Sequence, residues 1–247
     1  MEKDKLKGMV FSALFAALTG AVAWFRIPLP FTPVPITLQT LMVLLSGAML
    51  GPYYGALSMI IYLMLGAIGL PVFAGGSSGV AALLGPTGGY LFSYPVAAFV
   101  IGYMLKKKKL NVFVRYFSFA VIFLLVAIVA VDSIFLIGMV PFLGRLSQNV
   151  RVLVAVLSII CLLFFGLLAI YAKKARLVSL DAVLAMFAGT LIIYLMGVLQ
   201  ARFVIEPAPS WNILLAGWVL PFILGDTIKL ILAAYIAKNV NIKRYFK

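Results

Sequence analysis

The stretch WNILLAGWVLPFILGDTIKLILAAYIA, residues 211–237, decides how this chain folds. It has the length and apolar character of a membrane span, since about 20 apolar residues in a helix cross a bilayer. Asp226 and Lys229 interrupt it three residues apart, so they share one helical face and can neutralise each other. A charge at the bilayer centre costs about 2.5–3.5 kcal/mol on insertion scales, so the pair is expected to face a protein interior. We interpret it as part of a ligand site, and the alternative is a structural ion pair that locks helix packing.

The composition of the whole chain agrees with a membrane location. Of the 247 residues, 65% are hydrophobic and 11% are charged, and the mean hydropathy is +1.20, whereas about a quarter of the residues of a soluble domain are charged. The net charge of +14 lies in short clusters between apolar runs, which argues against nucleic-acid binding. The single cysteine, Cys161, excludes an internal disulfide, and the absence of histidine removes the commonest general base and metal ligand.

Hydropathy predicts eight membrane segments in an all-α fold. Their approximate limits are 8–25, 37–50, 52–70, 88–105, 114–138, 150–172, 179–201 and 211–237. The first follows a basic N-terminus without a convincing cleavage site, which predicts an uncleaved span rather than a signal peptide. Only Gly51-Pro52 separates the second segment from the third, so these two are expected to form a tight helical hairpin.

Basic residues set the expected orientation. An even number of spans puts both termini on one side of the membrane. With the N-terminus in the cytoplasm, 15 of the 20 lysines and arginines lie inside and 4 outside, Lys229 being within a span, as the positive-inside rule requires. The outer four are Arg26, Arg145, Arg151 and Arg202. We therefore expect both termini to be cytoplasmic.

Three unusual connections fall on the external side in this orientation. They are the Pro-rich 27–36, the Gly-rich 71–87 and the segment 203–210, and we expect them to form a lid over an external pocket. Irregular backbone at membrane depth is tolerated only where protein buries it or where it lines a cavity. The sequence GGSSG at 75–79 offers backbone N–H groups and two hydroxyls there. The alternative, a solvated linker, is disfavoured by the apolar residues around it.

An ordered set of motifs resembles one protein family. In chain order the motifs are IPLP at 27–30, PITLQT at 35–40, LGP at 50–52, GAIGLPVFAG at 66–75, LGPTGGY at 84–90 and LPFILGDTIK at 220–229. Together they resemble BioY, the biotin-specific substrate-binding (S) components of energy-coupling factor (ECF) vitamin transporters. The resemblance covers roughly residues 6–105 and 180–240.

The resemblance implies a six-helix bundle that binds biotin near its external face and docks on a transmembrane coupling subunit driven by two ATPases in a prokaryotic plasma membrane. We expect a single membrane domain over 1–247, with family helices 1–4 in 6–109 and family helices 5–6 in 179–240. An inserted two-span hairpin in 110–178 would preserve the topology, because it adds a pair of spans. Asp132 in the first inserted span is interpreted as hydrogen-bonded to neighbouring helices, with a second polar path as the alternative.

The chemistry of biotin matches polar residues in these motifs. Asp226 can accept hydrogen bonds from the ureido N–H groups, and Lys229 can donate to a carbonyl or carboxylate. The expected polar shell is completed by Gln39, Thr37, Ser77, Thr87 and Tyr90. For Thr37 and Gln39 the alternative is a helix N-cap, and for Tyr90 it is an anchor at the membrane interface.

Small residues recur along the first segment. Ala13, Ala17 and Ala21 are spaced by four, with Ser12, Ala16 and Gly20 alongside, so another helix can approach closely. The spacing fits packing within this protein as well as docking on a partner. The family resemblance implies docking on the coupling subunit.

Several functions remain open at this point. The favoured one is a biotin-binding transport subunit without catalytic activity or cofactor, in which only the partner subunits use ATP. The alternatives are an S component for another vitamin, a solitary biotin carrier, and a membrane enzyme acting through an intramembrane Asp. The absent histidine argues against the enzyme, and the lack of an ATP-binding motif means that any ATP must be used by partners.

Overall fold

The computed structural model of the chain describes residues 2–30, 32–106 and 179–240, with isolated positions between 152 and 159. The helices in these ranges are α1 (Glu2–Ala23), α2 (Gln39–Ala67), α3 (Val80–Leu84), α4 (Gly88–Lys106), α5 (Leu180–Val204), α6 (Trp211–Trp218) and α7 (Ile223–Asn239). Five candidate spans in the described part are long and apolar enough to cross a membrane, the last running from α6 into α7. The predicted multi-pass helical architecture is confirmed to that extent. The predicted segment 114–138 with Asp132, most of 150–172, and hence the inserted hairpin and the count of eight spans, lie outside the described residues.

Helix α2 folds back on itself near its middle. Gly51 has φ 80° and ψ −174°, a conformation that L side chains rarely adopt, and Pro52 follows it without an N–H for the helix ladder. Eight residues span about 12 Å in a straight helix. A Cβ on Gly55, however, would lie 2.9 Å from the Cα of Gly47. The two arms therefore pack against each other, in the manner of the tight hairpin predicted around Gly51-Pro52.

Helix α4 is the centre of the described bundle and packs against both α2 and α5. Its inner residues Ala97, Ala98 and Ile101 have no exposed surface. Glycine permits the close approach on each side: a Cβ on Gly47 would lie 2.5 Å from the Ala98 carbonyl oxygen, and one on Gly189 would lie 2.5 Å from Ile101 Cδ1. Glycine thus lets α2 approach the backbone of α4 and lets α5 approach the Ile101 side chain, as small residues do between membrane helices.

The Pro-rich connection after α1 is a two-stranded ribbon, which the expectation of a purely helical fold did not include. Strand β1 (Arg26–Leu29) pairs antiparallel with β2 (Thr32–Thr37), with Arg26 opposite Thr37. Proline cannot donate a ladder hydrogen bond and is tolerated in strands that lie at an edge, and both strands of an isolated ribbon are edges. The ribbon delivers the chain to the start of α2.

The last predicted segment, 211–237, is broken rather than continuous. Helix α6 ends at Val219, which has φ −125° and ψ −60°, and a short 3₁₀ turn, Leu220–Phe222, leads into α7. Pro221 lacks an N–H, which a helix interior needs and a helix start does not. The break places Asp226 in the first turn of α7, where the positive end of the helix dipole favours a carboxylate.

Candidate ligand-binding site

A cavity of about 660 Å³, a volume that includes its open mouth, lies beside the start of α7. Small-molecule sites combine an apolar wall with a few polar groups. The apolar wall is formed by Val34, Pro35, Phe73, Ala74, Ala82, Leu91, Ile193 and Phe222. The polar lining is formed by Thr37, Gln39, Thr40, Ser77, Thr87, Tyr90, Tyr94, Tyr194, Asp226 and Lys229.

All the residues predicted from the sequence to surround the ligand line this cavity. They come from β2 and the start of α2, from the Gly-rich connection, from α4 and from α7. The seven are Thr37, Gln39, Ser77, Thr87, Tyr90, Asp226 and Lys229. The fold therefore brings distant motifs to one place, while their contact with a ligand remains a prediction.

The Asp226 carboxylate, on α7, accepts hydrogen bonds from side chains of three helices, α2, α5 and α7 itself. Its Oδ1 accepts hydrogen bonds from Lys229 Nζ at 2.7 Å and from Thr40 Oγ1 of α2 at 3.1 Å. Its Oδ2 accepts one from the Tyr194 hydroxyl of α5 at 2.7 Å. Asp226 is 5% exposed and Lys229 is 8% exposed, and a buried charge pair is tolerated when such hydrogen bonds satisfy it. The pair is thus a structural joint and a part of the cavity wall at once.

Lys229 retains donors that no described residue accepts. An ammonium group has three N–H donors, and Asp226 takes one of them. The side chain lines the cavity and is almost buried. Because an unsatisfied buried donor is costly, the remaining N–H groups favour an acceptor oxygen inside the cavity.

Thr37 and Gln39 are fixed to each other at the cavity wall. Thr37 Oγ1 donates to Gln39 Oε1 at 3.0 Å, and Gln39 Nε2 donates to the Tyr62 hydroxyl on the second arm of α2. The N-cap position belongs to Leu38, and no side chain caps it. The contact from the Gln39 backbone N–H to Thr37 Oγ1 is long, at 3.4 Å. The cap interpretation therefore explains little of the arrangement.

Tyr90 is a wall of the cavity rather than an interfacial anchor. It is 9% exposed, and its hydroxyl donates to the backbone carbonyl of Trp218 at the end of α6. Gly197 of α5 makes room for the ring, since a Cβ there would lie 2.5 Å from the ring carbon Cζ. Tyr90 thus joins α4 to the broken last segment.

The Gly-rich connection forms one part of the cavity wall. The Ser77 hydroxyl donates to the Ala74 carbonyl at 3.2 Å and supports the 3₁₀ turn Ala74–Gly76. Gly75 and Gly76 have φ of 67° and 80°. Their Cα atoms lie against the side chains of Arg26 and Trp24 respectively, so a Cβ at Gly75 would collide with the guanidinium group. The turn is thereby pinned against the end of α1 and the start of β1.

The opposite end of this connection is tied to α5. Gln200 Nε2 donates to the carbonyl oxygens of Leu83 and Gly85, both at 2.7 Å. Of the three connections predicted to form a lid, the Pro-rich and the Gly-rich ones contribute to the cavity lining, and 203–210 does not. From the third, Ile205 packs against the same apolar cluster as Leu83.

Three polar lining residues were not predicted, namely Thr40, Tyr94 and Tyr194. Thr40 belongs to the PITLQT motif already quoted, and Tyr94 lies one helical turn after Tyr90, so the same face of α4 carries both. These two could have been found from spacing. Tyr194 is an isolated polar residue in an apolar span, and nothing in its sequence neighbourhood points to Asp226.

The structure separates the two small-residue stripes of α1. Ser12, Ala16 and Gly20 are buried against the bundle, and Ser12 Oγ donates to the Tyr54 carbonyl at 2.9 Å. The predicted docking residues face outward and are exposed; they are Ala13, Ala17 and Ala21. Packing among the described residues therefore accounts for the first stripe and not for the second.

Comparison with known proteins gives three kinds of match. The BioY family model matches residues 1–172 and 157–245. A "Probable biotin transporter BioY" of Pyrococcus horikoshii is 42% identical over 144 residues, which cover 56% of this chain and 86% of that protein. The "Biotin transporter BioY" of Lactococcus lactis subsp. cremoris is 37% identical over 152 residues, covering 59% of this chain and 80% of that protein.

The fold agrees with a solved structure as well. The crystal structure of the S-component for biotin from an ECF-type ABC transporter superposes with a TM-score of 0.64 at 26% identity, over 100% of this chain and 99% of the other. The family model covers far more than half of the sequence, and the resemblance seen in the six motifs is confirmed. The chain belongs to the BioY family.

Proposed function

We propose that this protein is the biotin-binding S component of an ECF-type uptake transporter and captures biotin on the external side of the membrane. The observation that carries the proposal is the cavity in which the buried Asp226–Lys229 pair meets the other five predicted residues. Relatives named as biotin transporters supply the identity of the ligand.

The cavity offers the complement of each part of biotin. The Asp226 carboxylate has about four acceptor sites and uses three within the protein, so one is left for a ureido N–H. Lys229 donates to an oxygen of the ligand. The bicyclic ring and the aliphatic tail need apolar contact, which Phe73, Leu91 and Ile193 provide.

Transport requires partners, because the chain has no ATP-binding motif. We propose that the exposed Ala13, Ala17 and Ala21 contact a transmembrane coupling subunit powered by two ATPases, with both termini in the cytoplasm and no cofactor in this chain. An exposed small-residue stripe lets a second helix approach closely in a bilayer. The same stripe favours docking over a solitary carrier. The named relatives are transporters, so an enzymatic role is not retained.

Calorimetry on detergent-purified protein tests the ligand. We expect biotin to bind one to one and more tightly than riboflavin or thiamine, because a ureido ring with a carboxylate uses both the acceptor and the donors of the pair. Absence of heat and of any thermal shift with biotin, together with a clear response to another vitamin, would contradict the assignment.

A further inference from the structure

Tyr94 carries the one tyrosine hydroxyl of the described cavity lining that makes no hydrogen bond. The residue is 4% exposed, and its side chain lines the cavity. Its ring stacks on Tyr62, with the centroids 6.2 Å apart and the planes at 28°. In the described part of the chain its hydroxyl has no partner. A hydroxyl at a cavity surface without a partner in the fold is free to donate a hydrogen bond to a molecule that enters the cavity.

The neighbouring tyrosines show that the fold satisfies such groups where it can. The Tyr90 hydroxyl donates to a backbone carbonyl, and the Tyr194 hydroxyl donates to Asp226. The Tyr62 hydroxyl accepts from Gln39. Tyr94 lies among these residues and is buried like Tyr62 and Tyr90. Tyr94 differs from them in that no described residue accepts a hydrogen bond from its hydroxyl or donates one to it.

Among Asp226, Lys229 and the lining tyrosines, most of the unused hydrogen-bonding capacity lies in donors. Lys229 keeps two N–H groups after its bond to Asp226, while Asp226 has already accepted three hydrogen bonds. The Tyr94 hydroxyl can donate one more. A ligand that satisfies these groups therefore presents acceptor oxygens to them.

We infer that Tyr94 contacts the ligand directly and that its hydroxyl donates a hydrogen bond to an acceptor oxygen of the ligand. This inference rests on the proposed function, in which that oxygen is either the ureido carbonyl or the carboxylate of biotin. Tyr94 is then a specificity-determining residue, and its stacking on Tyr62 holds the hydroxyl in position.

The test is the Tyr94→Phe variant, which keeps the ring and removes the hydroxyl. We expect biotin affinity to fall about tenfold, equivalent to about 1.4 kcal/mol. The melting temperature without ligand should not fall, because no residue in the described part of the chain bonds to this hydroxyl. Tyr235→Phe removes a hydroxyl from a tyrosine of α7 that is 45% exposed and outside the cavity lining, and it should bind like the wild type.

Ligand analogues identify the oxygen. One arm uses the analogue in which a methyl group replaces the carboxylate, so that no acceptor is left there, and another uses the thiourea analogue, whose sulfur is a poor acceptor. The penalty of Tyr94→Phe should shrink with the analogue that lacks the contacted oxygen and persist with the other. An equal penalty with every ligand would show that the hydroxyl acts through the protein and would overturn the inference.

The proposed function and this inference fail in different ways. Wild-type binding of biotin with unchanged affinity in Tyr94→Phe overturns the role of Tyr94 alone. If the wild type binds another vitamin instead of biotin, the proposed function is wrong, and the same comparison with that vitamin decides the role of Tyr94.

Discussion

Asp226 both joins helices and borders the cavity, two roles that usually compete at a single residue. Its carboxylate joins α2, α5 and α7 through Thr40, Tyr194 and Lys229, and it borders the cavity. Its place in the first turn of α7 lowers the cost of burying the charge, because the helix dipole is positive there. The structural ion pair is present, and the same two residues line the cavity, so the two alternatives of the sequence are compatible; their contact with a ligand stays a prediction.

Removing either charge should abolish most biotin binding. Asp226→Asn weakens an acceptor and leaves Lys229 without a counter-ion, and Lys229→Met leaves the carboxylate unpaired. Truncating one partner of a desolvated pair costs about 2–5 kcal/mol, which is about 30-fold or more in affinity. Titration calorimetry measures the loss. Lys238→Met removes an exposed charge from the last turn of α7 and serves as the control.

The two variants also separate binding from folding. Asp226→Asn is close in shape to the wild-type residue and should still insert and give a single cooperative melting transition. Wild-type affinity in both variants, with both inserted in the membrane, would show that the pair is only structural.

At the scale of the element, α2 shows how one glycine creates a hairpin and another lets it close. Gly51 takes the positive φ that reverses the chain, and it has open space around it. Gly55 meets the backbone of the other arm, where no side chain fits. The hairpin places Gln39 beside Tyr62 and thereby sets one wall of the cavity.

Gly55→Ala should lower the melting temperature of the purified protein. The added Cβ would lie 2.9 Å from the Cα of Gly47, and overpacking of this kind costs about 1–3 kcal/mol. The matched control is Gly225→Ala in α7, where nothing lies within 4 Å of the added Cβ and where alanine is the better helix former. Equal melting temperatures for the two variants would contradict the close contact between the arms.

At the scale of the whole molecule, the proposed ligand binding and the proposed docking on a partner use different surfaces. The Gly-rich connection forms part of the cavity wall, while the outward Ala stripe of α1 is exposed among the described residues. The buried stripe of the same helix holds α1 to α2. We therefore expect binding and docking to be separable by mutation.

Replacing Ala13 and Ala17 by Leu should stop ATP-driven uptake while the isolated subunit still binds biotin. The larger side chains fill the groove that a partner helix would enter, and neither position lines the cavity. Uptake is measured in cells that co-express the coupling subunit and ATPases, and binding is measured on the purified subunit. Leu191→Phe, which enlarges an exposed side chain of α5, is the control. Loss of binding in the Ala variant would refute the division between the two surfaces.

The sequence by itself determined the features that depend on local pattern. Hydropathy established the membrane class, Gly51-Pro52 predicted the fold-back of α2, and the ordered motifs identified the family and seven residues that line one cavity. Each of these follows from composition, spacing or a short run of residues, and these properties do not depend on the fold.

Only the tertiary structure decided which residues meet across long separations. Thr40 and Asp226 are 186 positions apart, and Tyr194 reaches the same carboxylate from another helix. The exposed stripe of α1 could not be told from the buried one, because both have the same spacing and the distinction depends on which face the rest of the bundle covers. The Tyr94 hydroxyl could likewise be recognised as free, among the described residues, only once the hydrogen bonds of the neighbouring tyrosines were known. Local periodicity specifies a helix and its faces, whereas the packing of distant helices selects the partners of each side chain.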